Sequence, residues 1–386
     1  MTQRNLREVA TRRPEHRLLL ALARTKMSEG QQEALRKLLA TAQDWRIVLH
    51  AARGHRVAAL CYPQLLAAGG CAAPPEILEG FRRQAIATAA RNLRLASRLA
   101  EVISNAERAG IELVPYKGPV LAEMAYGNLG LREFVDLDFI VPQRQLAETA
   151  KVLGELGYRS ATPALVEEGS PIPGEYVFLA DEGDFQIEVH TEFTLRHFPV
   201  PPDLESLMCT LRPVSLAGRP VFTFSREDTL TLLAVHGSKD FWAQLLWICD
   251  IVALVREAGF DWDRALAQAG RMRCRRMVNV ALLLAGDMLD APIPASMKRR
   301  AEADAVAGEH ARWVAERLFA PRPIAPWGQV RYRMRMVEGF WPGMRYATRL
   351  ATTPGADDWN RVRLPGRLRF AYSLIRPLRL FRGQNS

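Results

Sequence analysis

The sequence lacks the features that mark several protein classes. No apolar run approaches the roughly 20 residues that a membrane-spanning helix requires, and the first residues contain no apolar signal-peptide core. We therefore expect a cytoplasmic protein. The five cysteines are too few and too scattered for a disulfide framework, and no CxxC spacing indicates a structural zinc site. The chain also shows no internal repeat and no long low-complexity linker.

The positive charge is distributed very unevenly. The chain has 386 residues, is 48% hydrophobic and 24% charged, and carries a formal net charge of +10, values typical of a soluble protein with two or three structural units. Residues 321–386 contain thirteen arginines, no lysine and three acids, which account for the whole net charge. The positive and negative charges of the first 320 residues therefore balance, and the excess positive charge lies in the last sixth of the chain.

Apolar periodicity divides the chain into four predicted parts. Apolar residues at three-to-four spacing predict an N-terminal helical region over 1–107 and a C-terminal helical domain over 225–320. Short strand patterns alternate with helices over 108–224, which indicates a compact α/β core. Residues 321–386 form the arginine-rich C-terminal segment. We therefore predict an α+β fold in which helical regions flank the core.

Two acids occur inside an otherwise apolar strand pattern, "FVDLDFIVP". In a strand, Asp136 and Asp138 point to the same face, where their charges repel and raise each other's pKa. A divalent cation removes the conflict, because magnesium prefers carboxylate oxygens and joins them to substrate phosphates. The alternative is a solvated edge strand that carries two acids by chance.

The neighbouring segments favour the metal interpretation. Lys117 and Gly118 stand where a strand turns into a helix, which is a suitable place for an anion. Glu188 lies in a second apolar strand pattern, "FQIEVHTEF", and supplies a third carboxylate. An anion site beside three strand carboxylates is the set that metal-assisted phosphoryl or nucleotidyl transfer requires, with two metals neutralising the triphosphate.

These stretches resemble a known family. "KGPVLAEMAY", "LREFVDLDFIVP", "GYRS" and "IEVHTEF" are similar to the polymerase-beta-type nucleotidyltransferase superfamily, and more narrowly to the bacterial uncharacterised nucleotidyltransferases. The later helices "EDTLTLLAVHGSKDFWAQLLWICDIVALV" and "FDWDRALAQA" extend the resemblance to roughly residues 15–320. It implies a small mixed sheet, Mg²⁺ or Mn²⁺ as cofactor, and a nucleoside triphosphate (NTP) as donor.

The resemblance also implies residue roles. Asp136 and Asp138 match the metal-binding pair, and Glu188 matches the third acid, which acts as a base or orients the metal. Many members of the superfamily have Gly-Ser in the phosphate turn, whereas this chain has Lys117 and Gly118, so no serine hydroxyl is present there.

Three further residues are candidates for nucleotide binding. Arg132 either contacts phosphate or pairs with an acid, and His190 either holds Glu188 or a phosphate or is an ordinary hydrogen-bonded histidine. Lys239 shares a helical stripe with His236 and Asp250 if the helix is continuous, and could reach the triphosphate. For Asp250 we favour a solvated polar position without function.

The sequence predicts a transferase that moves a nucleoside monophosphate (NMP) from an NTP to an acceptor and releases pyrophosphate. A metabolite, a saccharide, a peptide, a protein or an RNA end would each suit as acceptor. The alternative is a non-catalytic module that binds RNA or a partner. The arginine-rich segment could bind an anionic partner, either RNA or a membrane surface, or could pack on the body of the protein.

Overall fold

The computed structural model describes residues 5–41, 44–69, 73–161, 174–180, 185–191 and 204–352. The N-terminal region is helical, as predicted. Its helices are α1 (Leu6–Ala10), α2 (Pro14–Leu22), α3 (Glu29–Leu39), α4 (Trp45–Gly54), α5 (Ala58–Ala67) and α6 (Pro75–Arg108). Helix α6 ends just before Gly110, whose φ of 69° lies in the left-handed region that glycine tolerates best.

A five-stranded sheet follows α6. Its strands are β1 (Val114–Pro115), β2 (Asp136–Ile140), β3 (Tyr158–Ser160), β4 (Glu175–Ala180) and β5 (Gln186–His190). Helical segments connect them: α7 (Gly118–Leu121), a π-helical turn (Ala122–Tyr126), a 3₁₀ turn (Gln143–Gln145) and α8 (Leu146–Glu155). Then come α9 (Leu204–Met208) and a hairpin formed by β6 (Arg212–Leu216) and β7 (Arg219–Thr223).

The rest of the described chain is helical. Its elements are α10 (Arg226–Lys239), α11 (Leu245–Arg256), α12 (Trp262–Arg271), α13 (Arg275–Leu289), α14 (Ala295–Ala303), α15 (Ala305–Arg317), α16 (Pro326–Met336) and α17 (Phe340–Thr352). Ser225 caps α10, since its hydroxyl accepts a hydrogen bond from the Asp228 backbone N–H at 3.2 Å. Within the described ranges, no helix is long and apolar enough to cross a membrane.

The sheet is mixed, which confirms the predicted α+β fold. The strand order is β1-β2-β5-β4-β3, and β2 pairs with β5 in parallel while the other neighbours are antiparallel. The parallel register places Asp138 opposite Glu188 and Ile140 opposite His190. Carboxylates from two separate strands therefore meet at the centre of the sheet.

Two hydrophobic clusters support this arrangement. One is built largely from helices at both ends of the chain, including Leu18 of α2, Trp242 and Leu284 of α13. The other lies between the sheet and the second half of α6, where Leu95 and Leu99 pack with Phe139 of β2. The sheet is thus held against α6. The boundaries of the four parts of the chain, at residues 107/108, 224/225 and 320/321, stay a prediction.

The helix that would place Lys239 and Asp250 on one stripe is not continuous. Helix α10 ends at Lys239 and α11 begins at Leu245, so Asp250 does not share a stripe with Lys239. Gly237 lies inside α10 and does not break it. The break follows at Phe241 and Trp242, which have φ values of 60° and 52°. The buried Trp242 ring folds back over Gly237, where a Cβ atom would lie 2.7 Å from three of its atoms.

Of the arginine-rich C-terminal segment, residues 321–352 include α16 and α17, whereas residues 353–386, and with them Arg361 to Arg382, lie outside the described residues.

Candidate active site

The three predicted acids line one cleft. Asp136 and Asp138 extend from the same face of β2, and Glu188 extends from the adjacent β5. The cleft has a volume of about 270 Å³. It also contains most of the other predicted site residues, namely Lys117, Gly118, Arg132 and Lys239. His190 contacts this group through Asp138.

Asp138 is the most strongly held of the acids. Its side chain is 4% exposed, and one oxygen, Oδ1, lies 2.8 Å from Lys117 Nζ and 3.3 Å from His190 Nε2. Burial alone would raise the pKa of Asp138, but the Lys117 ammonium and His190 outweigh it and hold the pKa well below its usual range. Asp138 is therefore ionised at neutral pH.

Asp136 has the opposite environment. No hydrogen bond or ion pair reaches its carboxylate from the part of the chain that the structure describes. Burial, together with the charges of Asp138 and Glu188, raises the pKa of Asp136 to about 6. An unpartnered carboxylate beside two others is a place where a bound cation would lower the energy of the site.

Glu188 and His190 complete the acidic group. Glu188 accepts a hydrogen bond from Gln186 at 2.7 Å, and its other oxygen lies 3.7 Å from His190 Nε2. Among the described residues, Asp138, Glu188 and His190 offer ligand atoms that lie within 4.8 Å of one another. Burial lowers the pKa of His190, but hydrogen bonding to Asp138 and Glu188 raises it above the usual value overall.

The donor set fits a divalent cation. Carboxylate oxygens suit Mg²⁺ and Mn²⁺, and an imidazole nitrogen is accepted more readily by Mn²⁺ than by Mg²⁺. Asp138 and Glu188 belong both to the predicted acid triad and to the compact group with His190. These two residues are therefore the centre of the candidate metal site.

Lys117 and Gly118 stand at the predicted turn. Gly118 has a φ of 51°, and a Cβ atom there would lie 3.4 Å from the carbonyl oxygen of Asp136. The missing side chain allows the turn to pass close to the start of β2. The Lys117 ammonium points toward Asp138 and lies 4.9 Å from the centre of the Tyr116 ring.

Lys239 enters the cleft from the last turn of α10. Its ammonium lies 3.5 Å from Glu175 on β4, and its carbonyl accepts hydrogen bonds from Arg333 of α16. His236, one turn earlier, packs edge-on against Trp247 with ring centres 4.9 Å apart. The cleft is also lined by Trp247 and by Glu175, which sequence reasoning missed.

Arg132 donates two hydrogen bonds to Asp250, at 2.8 and 2.9 Å, and Tyr126 donates a third at 2.7 Å. Asp250 is fully buried, so the expectation of a solvated polar position is wrong. Asn92 of α6 adds hydrogen bonds to the carbonyls of Leu129 and Arg132. These contacts fix the loop that leads into β2.

A comparison with known families assigns the chain to a class of nucleotidyltransferases. A family model described as "Uncharacterised nucleotidyltransferase" matches residues 41–290, and the chain belongs to this family. The matched residues include the sheet, every acid of the cleft and helices α10 to α13. No curated protein and no solved structure matches the chain.

Proposed function

We propose that the protein transfers an NMP from an NTP to an acceptor hydroxyl or similar nucleophile and releases pyrophosphate. The observation that carries this proposal is the parallel pairing of Asp138 with Glu188, which puts three strand carboxylates into one cleft with two lysines. A protein that only binds RNA has no need of this arrangement. The NTP pool makes the cytoplasm the expected place of action.

The acids would hold the metal. Asp136, Asp138 and Glu188 are the proposed ligands for Mg²⁺ or Mn²⁺, with His190 orienting Asp138 and Glu188. When bound, the cation neutralises charge on the triphosphate and stabilises the charge that develops on its oxygens.

The basic residues would receive the triphosphate. Lys117, just before α7, and Lys239, at the end of α10, both line the cleft, and Gly118 leaves room at the turn. Two of the Arg132 nitrogens bind Asp250, and we propose that the third, Nη1, contacts phosphate. Each of these groups supplies a donor to an anionic oxygen.

The reaction follows from this arrangement. The acceptor oxygen attacks the α-phosphorus, the bond from that phosphorus to the bridging oxygen breaks, and pyrophosphate leaves with the bonding electrons. Glu188, whose second oxygen faces His190, is the proposed base that takes the proton of the acceptor.

Labelled substrates test the proposal. Protein and Mg²⁺ are incubated with fractionated cell extract and an NTP labelled with ³²P at either the α or the γ position. We expect an acceptor labelled from the α position alone, and no labelling with the Asp136→Asn, Asp138→Asn double variant. Transfer of γ-label would contradict the proposal, and binding of NTP without any transfer would support the non-catalytic alternative.

The arginine-rich segment has a separate proposed role. Seven arginines and no acid occur between Arg361 and Arg382, and we propose that they attract an anionic acceptor or surface, such as RNA or a membrane. Removal of residues 361–386 should then abolish salt-sensitive binding to RNA or to anionic vesicles while the melting temperature stays unchanged. A fall in melting temperature without such binding would show a packed helix instead.

A further inference from the structure

A second cavity lies beside the cleft. It has a volume of about 660 Å³. Its walls come from the connection between α1 and α2, from the end of α4, and from the end of α15 with the residues after it. This volume falls within the roughly 300–1,000 Å³ typical of small-molecule sites.

The cavity is lined by arginines without acidic partners. Arg12, Arg13, Arg317 and Arg322 all reach it, and Glu316 is the one acid among its lining residues. None of the four arginines forms a salt bridge within the described residues. By contrast, the nearby Arg7 and Arg24 both pair with Asp290. The Arg317 guanidinium lies 4.5 Å from the centre of the Trp313 ring, and none of the four is neutralised by a carboxylate in the described part of the chain, so the cavity is positive.

The two histidines His16 and His55 in the same cavity add aromatic surface and little positive charge. Burial lowers the pKa of His55 to about 4, and burial with the charge of Arg13 lowers the pKa of His16. The His16 ring stacks on Phe319, with centres 4.3 Å apart and planes inclined by 16°. His55 meets the same phenylalanine edge-on. Aromatic rings therefore line a cavity that arginines make positive.

Two buried polar atoms in this cavity wall have no hydrogen-bond partner among the described residues. They are His16 Nδ1 and Arg317 Nε. An unpaired buried donor or acceptor is unfavourable unless a ligand or water satisfies it. Both atoms belong to residues that line the cavity, so a polar ligand placed there is well situated to supply the missing partner.

The cavity and the acid cleft share a wall. His55 and Ala243 line the cavity, while the next residues in the chain, Arg56 and Gln244, line the cleft. The two segments of the wall are hydrogen-bonded to each other, because the Leu245 N–H donates to His55 Nδ1 at 3.3 Å. The two sites are thus neighbours, yet they have separate linings.

We propose that this cavity binds a phosphorylated small molecule that carries an aromatic ring and has about the size of a nucleoside monophosphate. Guanidinium groups bind phosphate in a bidentate manner, and the aromatic group formed by His16, His55 and Phe319 in the cavity wall can pack against a flat ring. The site is distinct from the proposed donor site, which depends on the acids and on Lys117. Binding at this cavity is therefore a function separate from the transfer reaction, and a test of one does not decide the other.

Calorimetric titration tests the site. AMP and, separately, inorganic pyrophosphate are titrated into the full chain in EDTA, so that the acid cleft lacks a metal and repels phosphate. We expect saturable AMP binding that weakens as salt rises, and weaker binding of pyrophosphate, which has no ring. The Arg13→Gln, Arg317→Gln double variant should bind AMP at least tenfold more weakly.

Two further double variants make the result specific. Arg12→Gln with Arg322→Gln removes two exposed charges of the cavity and should also weaken AMP binding, which covers the case in which the first double variant fails to fold. Arg299→Gln with Arg300→Gln, on the exposed surface of α14, is the control for general loss of charge and should bind normally. Absence of AMP binding, or equal loss of AMP binding in the Arg299→Gln, Arg300→Gln control and in the cavity variants, would overturn the proposal.

Discussion

The guanidinium of Arg132 and the carboxylate of Asp250 form a buried, two-point ion pair across 118 positions of the chain. Arg132 lies four residues before the first acid of β2, and Asp250 lies on α11. The pair therefore ties the loop before β2 to the C-terminal helices. Because Tyr126 also donates to Asp250, the turn after α7 is held at the same point.

Loss of this pair should strongly destabilise the protein. Asp250→Asn keeps the shape of the side chain but leaves the Arg132 charge buried without a counter-ion. We expect the free energy of unfolding to fall by about 3–5 kcal/mol, as measured by urea denaturation. Replacing both partners, with Arg132→Met and Asp250→Leu, should recover much of that loss. A change below about 1 kcal/mol in Asp250→Asn would show that the pair does not hold the loop.

Lys117 should compete with a metal for Asp138. In Lys117→Met without metal, the buried carboxylate keeps only His190 as partner, and stability should fall by up to about 3–5 kcal/mol. Mn²⁺ should then raise the melting temperature more in the variant than in the natural chain, since the oxygen that Lys117 occupied is open. NTP binding should weaken at the same time.

The matched control for this prediction is Lys239→Met, because Lys239 contacts Glu175 and not Asp138. It should weaken NTP binding without increasing the effect of Mn²⁺ on the melting temperature. Equal responses to Mn²⁺ in the natural chain and in Lys117→Met would argue against a metal at Asp138.

Asp136 should destabilise the metal-free protein at neutral pH. Its folded-state pKa of about 6 lies above the ordinary value near 3.8. Between about pH 4 and 6 the folded chain holds a proton that the unfolded chain has lost, so this group costs stability as pH rises through that window. Asp136→Asn should therefore be more stable than the natural chain at pH 7.5 in EDTA, by about 1–3 kcal/mol. The difference should shrink toward zero near pH 4, and a difference that grows as pH falls would contradict the assignment.

Gly237 should be required for the turn that presents Lys239. An alanine Cβ would meet the buried Trp242 ring at 2.7 Å, so Gly237→Ala should cost about 1–3 kcal/mol from overpacking. Gly308→Ala on α15 is the matched control, because a Cβ atom there would have nothing within 4 Å, and it should be neutral or stabilising by up to about 1 kcal/mol. Equal thermal stability of the two variants would refute the packing argument.

The strand acids could be found from sequence because their signal is local. Charged residues in an apolar strand conflict with burial, so Asp136, Asp138 and Glu188 stand out without any knowledge of the fold. The resemblance then supplied the mixed sheet, and the structure agrees with it. The parallel pairing that makes Asp138 and Glu188 neighbours follows from topology and is not readable from the strands themselves.

The tertiary partners could not be found in this way. Asp250 has the local pattern of an ordinary helical residue, and its role depends on Arg132, which approaches it from a distant loop. The position of the helix break after Lys239 could not be read from the sequence, because no proline marks it. It depends on left-handed conformations of Phe241 and Trp242, which tertiary packing of the Trp242 ring stabilises.

Binding of a non-hydrolysable NTP analogue tests the central claim most directly, because it needs no knowledge of the acceptor. Calorimetry with an α,β-methylene NTP should show saturable binding in Mg²⁺, loss of that binding in EDTA, and at least tenfold weaker binding in the Asp136→Asn, Asp138→Asn double variant. The Arg299→Gln, Arg300→Gln variant should bind as the natural chain does. Equal affinity in Mg²⁺ and in EDTA, or full affinity in the aspartate double variant, would contradict a metal-dependent nucleotidyl-transfer site at these strands.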